Sequence, residues 1–146
     1  MKISYELKGL NKTIDKVKKM STKMQNRVAD DIKFSGLDIE TKAKNITPIN
    51  KQPTVGGRLK AGTESDVSVR FQARIFNDLN YASYVEFGTR AHVSRVKNAK
   101  NLSNGKTGFG KVVNHPGTKA QPFLRPAFHQ GVRDLKKAIK KSLNRL

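Results

Sequence analysis

From Ile14 the apolar residues recur in steps of three and four: Ile14, Val17 and Met20, then Met24, Val28, Ile32, Ser35, Ile39, Ala43 and Ile46. That period is a helix's, and the pattern stops at Thr47-Pro48 because a residue before proline avoids the α region. A continuous helix from Ser21 to Ile46 would run about 39 Å, with Ser35-Gly36 a candidate bend. In a chain of 146 residues a helix of that length sets the long dimension of one domain, residues 1–146, and everything else must cover its apolar face. Little is available to do so. Hydrophobic residues are 36% and aromatics 7%, which predicts a thin core that neighbouring subunits help to complete.

The covering elements are short. Lys2 to Leu7 alternates Ile3, Tyr5 and Leu7 against Lys2, Ser4 and Glu6, the period of a half-buried strand. Residues 48–65 hold two prolines and three glycines and read as a surface loop with a short turn at Arg58 to Ala61. Val67, Val69, Phe71, Ala73 and Ile75 then mark one face of a second strand. Asn77 to Asn80 form a turn and an N-cap for a brief helix at YASYVEF, closed by Gly88. His92, Val93 and Val96 face Val112 and Val113 as two arms of a hairpin, and a flexible basic loop lies at about 94–111. Val132, Leu135, Ile139, Leu143 and Leu146 form the apolar stripe of a last helix. Pro126 suits that helix's first turn, Pro122 keeps its approach extended, and Phe123 and Leu124 plug the core. The sum is an α+β fold, with a long N-terminal amphipathic helix and a C-terminal helix packed on a small, mainly antiparallel sheet.

Chemistry is sparsely provided. Absence of cysteine excludes disulfides and thiolate metal sites and fits a reducing compartment. MKISYELKGL lacks the apolar region of a signal peptide, and no run reaches the roughly 20 apolar residues of a membrane span. His92, His115 and His129 have no helical carboxylate or histidine partner that would build a zinc site. Glu86, between Val85 and Phe87, is the acid expected to be most buried, paired with His92, His115 or an arginine. Neither Gly56-Gly57-Arg58 nor Gly105 to Gly110 carries the lysine–hydroxyl ending of a phosphate loop. We therefore expect no enzyme, no cofactor, no catalytic residue and no metal ligand.

Charge is the strongest compositional signal: 30 lysines and arginines against 11 acids give +19, which calls for anionic neighbours. Residues 90–146 hold 14 cations against one acid, Asp134. Arg90, Arg95, Lys97, Lys100, Lys106, Lys111 and Lys119 follow one another with no acid between them. Arg95, Lys97, Lys100, Lys106 and Lys111 are the candidates for nonspecific contact with DNA phosphates or an acidic protein surface. No aromatic platform or recognition helix points to sequence-specific readout.

Three stretches carry a family resemblance: Gly57-Arg58-Leu59 after a proline-containing loop, YASYVEFGT from Tyr81 to Thr89, and HPGTKAQPFLRPAF from His115 to Phe128. Together they resemble the tail-completion or neck proteins of long-tailed bacteriophages, also described as phage morphogenesis or minor tail component proteins. The motif positions are Gly57, Arg58, Leu59, Tyr81, Ala82, Glu86, Phe87, Gly88, Thr89, Pro122, Phe123, Leu124 and Pro126. The resemblance implies a structural virion protein, assembled in the host cytoplasm, that forms a hexameric or dodecameric ring between head connector and tail. Its partners would be head-connector and tail-terminator or tail-tube proteins, with possible nonspecific contact with DNA and no membrane. The basic stretch from Arg90 to Lys119 exceeds that of shorter relatives, and its residues 95–111 are expected to order on assembly. The alternatives are a tail terminator, a free nonspecific nucleic-acid-binding protein, and a small basic nuclease or toxin.

Overall fold

The computed structural model describes residues 3–6, 11–49, 57–95, 102–103, 108–110 and 112–144. Twelve elements follow in order: β1 (Ile3–Glu6), α1 (Asn11–Lys18), α2 (Thr22–Ile46), α3 (Arg58–Ala61), β2 (Thr63–Asp66), β3 (Arg74–Asn77), α4 (Ala82–Phe87), β4 (His92–Arg95), β5 (Leu102–Ser103), β6 (Gly108–Gly110), β7 (Val112–His115) and α5 (Leu124–Leu143). The fold is α+β, and among the described residues the strand pairs are all antiparallel.

The three-stranded sheet has the order β1-β3-β2. Its register aligns Ile3, Asn77 and Thr63 in one row and Tyr5, Ile75 and Ser65 in the next. These rows face the helices, and Ile3, Thr63, Ile75 and Asn77 are buried. Asn77 is tolerated there because its groups are satisfied. Its Nδ2 donates to the Leu59 carbonyl (2.8 Å) and to Thr63 Oγ1 (3.0 Å), and its Oδ1 accepts from the Leu79 amide (3.1 Å). One polar side chain thus ties α3, β2 and the turn after β3 together.

Helices α2 and α5 lie antiparallel: Ile39 and Ala43 of α2 share a cluster with Leu124 and Ala127 of α5 and with Phe123 just before it, while Met24, Val28 and Ile32 share one with Leu135 and Ile139. They pack tightly at Gly131, where an added Cβ would stand 2.0 Å from Ile39 Cγ1. Lys42 Nζ bridges the pair on the rim, 2.7 Å from Asp38 and 2.8 Å from Asp134.

Three expectations from sequence are corrected. The long helix is interrupted at residues 19–21 rather than bent at Ser35-Gly36; α2 runs unbroken from Thr22 to Ile46. Gly36 serves close packing instead, since a Cβ there would lie 2.8 Å from Val67 Cγ1 and 2.9 Å from Ala73 Cβ. The alternation from Val67 to Ile75 is not one strand. Asp66 Oδ1 accepts from the Ser68 amide (3.0 Å) and hydroxyl (2.6 Å), a side-chain turn that competes with strand pairing. The chain then turns at Phe71, with φ of 64°, and re-enters as β3, while β2 begins inside the stretch read as loop and ends one residue beyond it. Finally, α4 is preceded by Tyr81 in helical geometry and no side chain caps it; Asn77 bonds the turn ahead of it instead.

Candidate functional site

The three motif stretches converge on one side of the molecule. The first, Gly57-Arg58-Leu59, opens α3: Gly57 takes a φ of 86°, Leu59 is buried, and its carbonyl accepts from Asn77 and Thr63. The second forms α4 and the turn after it. The third runs alongside as extended chain into α5.

Glu86 joins the second stretch to the third. Its Oε2 accepts from the amides of Phe123 (2.7 Å) and Leu124 (3.0 Å), and its Oε1 accepts from that of Arg125 (2.8 Å). An α-helix begins with four amides that lack intrahelical partners. Glu86 takes three, and the fourth position is Pro126, which has no N–H to satisfy. The carboxylate also meets the positive end of the helix dipole. Glu86 is only 2% exposed, so three charge-assisted bonds replace its lost hydration. This corrects the expected pairing with a histidine or an arginine side chain. Tyr5 lies close by, its ring tilted against Phe128 with centroids 5.2 Å apart; burial pushes its hydroxyl pKa up, the Glu86 charge adds to that, and Arg125 opposes it.

A second junction lies seven residues before α5. Phe87-Gly88-Thr89 and Pro116-Gly117-Thr118 face each other across an antiparallel bridge between Thr89 and Thr118. The Thr89 amide donates to the Thr118 carbonyl (3.0 Å) and the Thr118 amide to the Thr89 carbonyl (3.1 Å), with the two hydroxyls 3.0 Å apart. Each threonine follows a glycine of positive φ, 72° at Gly88 and 87° at Gly117. A Cβ on Gly88 would sit 2.5 Å from the Thr118 carbonyl oxygen, and one on Gly117 2.5 Å from that of Thr89. Both glycines are required by backbone conformation and by space. The Gln121 amide closes the assembly on the Val85 carbonyl (2.8 Å).

From this clasp β4 and β7 project as the two expected hairpin arms, paired from His92↔His115 to Arg95↔Val112. His92 stacks on His115 with ring centroids 4.9 Å apart. The Gly117 amide donates to His115 Nδ1 (3.0 Å), and His92 Nδ1 lies 3.0 Å from the Arg90 carbonyl. His129 is on α5, edge-on to Phe128. Among the described residues no three His, Cys, Asp or Glu side chains gather as a metal cluster. Arg95 is exposed on β4; Lys97, Lys100, Lys106 and Lys111 lie outside the described residues, as does most of the loop expected at 94–111. Of the described part of that loop, Ser94 and Arg95 belong to β4, and Leu102–Ser103 pairs with Gly108–Gly110 as β5 and β6.

Beside the clasp lies an open groove of about 810 Å³. Ile49, Arg58, Tyr81, Tyr84, Lys119 and Gln121 are among its walls, so each motif stretch contributes. Tyr84 is 56% exposed and Ile49 59%, and the described lining holds two cations and no acid. A smaller groove of about 460 Å³ lies against the start of α5, between Phe87, Arg125 and His129. The arrangement offers apolar and cationic docking surface held by a rigid hydrogen-bonded frame. Sequence reasoning missed Thr63, gave Asn77 only to a turn and N-cap, and gave Gly117 and Thr118 no role beyond their motif; the repeated Gly-Thr after Phe87 and after Pro116 was the available signal for the last two.

Comparison of the chain with protein-family models, with curated proteins and with solved structures finds no match.

Proposed function

We propose that this chain is a structural virion protein of a tailed phage, a tail-completion or head–tail joining component that assembles as a ring in the neck. One observation carries the reading. Three stretches, separated by more than twenty residues of intervening chain, meet around a single groove, and their polar groups are spent on fixing shape. Glu86, the buried acid, is occupied by three backbone amides. Tyr81, Tyr84, Phe87 and Ile49 remain exposed around the clasp, an apolar surface of the kind that subunit contacts cover. The same three stretches carry the resemblance to neck proteins.

In this role the protein acts by fit: the ring would stack between head connector and tail, with cations facing DNA or an acidic neighbour. Electron microscopy of particles assembled without the protein tests this. Full heads separate from finished tails support joining; overlong tails would assign the chain to tail termination instead. The charge of +19 favours a second reading, a free nonspecific nucleic-acid binder, which would assemble normal particles in its absence.

A further inference from the structure

We infer that the exposed face of α5 is a binding surface for the phosphate backbone of duplex nucleic acid, separate from the groove and from the hairpin loop. Arg133, Lys136, Lys137 and Lys140 are all exposed and fall within an arc of about 100° at 3.6 residues per turn. Arg125 extends the row toward the helix start, so the cations span about 22 Å of helix.

Two features separate this face from an ordinary solvated one. The first is the removal of negative charge from it. The first turn of α5 has no acid of its own, because the carboxylate that compensates its dipole comes from Glu86 and is buried. Asp134, the one acid between Leu124 and Leu143, is held by Lys42 at 2.8 Å on the side facing α2. By contrast the exposed face of α2 mixes signs, with Lys23, Arg27, Asp30, Lys33 and Asp38 in succession. Like charges three and four residues apart repel, and Asp134, already paired with Lys42, gives Lys137 and Arg133 only a weaker attraction. A polyanion would relieve the rest.

The second feature selects the class of polyanion. A protein interface has an apolar core inside a polar rim. The exposed large apolar residues lie on other elements, such as Phe34 and Leu37 on α2 and Tyr84 on α4, and none is on α5. A row of exposed cations along one helix face, with Pro126 and His129 between Arg125 and Arg133, suits a ladder of phosphates, which duplex DNA presents about every 1.7 Å along its axis. Contacts to phosphate carry no sequence information, so binding through this row is independent of sequence.

The test is fluorescence anisotropy of the full chain with duplex DNA of about 30 base pairs, over about 50 to 200 mM salt. The triple variant Lys136→Gln, Lys137→Gln, Lys140→Gln should bind at least tenfold more weakly at low salt. Its log–log salt slope should fall by about 2.7, at about 0.9 per phosphate contact. Lys23→Gln with Arg27→Gln on α2 should change neither quantity. Circular dichroism melts confirm that both variants fold, and a second duplex of unrelated sequence should bind alike. The inference fails if the wild type does not bind duplex DNA, if the α5 and α2 variants lose affinity equally, or if polyglutamate binds as tightly as DNA of equal charge, which would make the face a site for acidic protein. None of these outcomes depends on ring assembly, so the neck reading stands or falls separately.

Discussion

Glu86 and Pro126 divide between them the unpaired amide positions at the start of α5: the carboxylate accepts from Phe123, Leu124 and Arg125, and the proline removes the remaining donor. Glu86→Ala should therefore leave three amides without a partner in a place water reaches poorly, at a cost of about 3 kcal/mol or more. Glu86→Gln keeps one accepting oxygen and should lose about half as much. Urea unfolding followed by circular dichroism reads both; equal stabilities for wild type and Glu86→Ala would refute the capping role.

The two clasp glycines should be far less replaceable than a third glycine of similar φ. Gly88→Ala and Gly117→Ala each place a Cβ 2.5 Å from a backbone oxygen across the clasp, and backbone cannot yield as a side-chain tip can. Each should cost more than about 2 kcal/mol. Gly57 has nothing within 4 Å of its added Cβ, so Gly57→Ala should cost only the conformational strain, about 1 kcal/mol. Thermal melts of the three variants give the ordering.

Between α2 and α5 the prediction is coupling. Gly131→Ala forces a methyl to within 2.0 Å of Ile39 Cγ1 and should cost about 1–3 kcal/mol, while Ile39→Ala alone should cost about 2–5 kcal/mol through a cavity. In the double variant the new methyl occupies part of the space the isoleucine vacates. The two costs should then sum to more than the measured total, which a double-mutant cycle checks directly.

How much of this was legible in the sequence depends on which force decided each element. α2 and α5 were readable because burial of one helical face leaves a period in the chain, and Thr47-Pro48 and Pro126 punctuate it. The break between β2 and β3 was hidden, since Asp66 turns the chain through its own side chain while Val67, Phe71 and Ala73 still alternate in pattern. Gly36 carries two meanings in sequence, flexibility or closeness, and only the position of Val67 and Ala73 against it selects the second. Glu86 was singled out as a buried acid, but its partners are backbone amides 37 to 39 residues away, and amides carry no sequence identity. The groove was legible only as motifs; that Arg58, Tyr84 and Lys119 share it is a product of tertiary packing.

On the acid side, Glu40 should contribute to loss of stability. Burial pushes its pKa up, but hydrogen bonds from Lys44 and Ser65 and the Lys44 charge outweigh that and hold it below the carboxylate's ordinary value of 4.5. A folded-state value below the unfolded one means that the proton binds the unfolded chain more readily. The stabilisation is complete above the ordinary value and is lost as pH falls through the folded one. Urea midpoints of wild type and Glu40→Gln should differ at neutral pH, and the gap should narrow as pH drops below about 4. A gap that widens toward acid would mean the sign is wrong.

Tyr84 offers the sharpest separation of assembly from folding. It is 56% exposed on α4 and lines the groove with Tyr81 and Lys119, so its ring contributes little to the isolated subunit. Tyr84→Lys should shift stability by no more than about 0.5 kcal/mol, as exposed substitutions do. If the groove receives a neighbouring subunit, the same change places a cation beside Arg58 and Lys119 and removes the apolar contact, so oligomers measured by light scattering should dissociate and complementation of particle assembly should fail. A variant that folds as well as the wild type and still completes particles would show that the subunit contact lies elsewhere, whatever the clasp is built to hold.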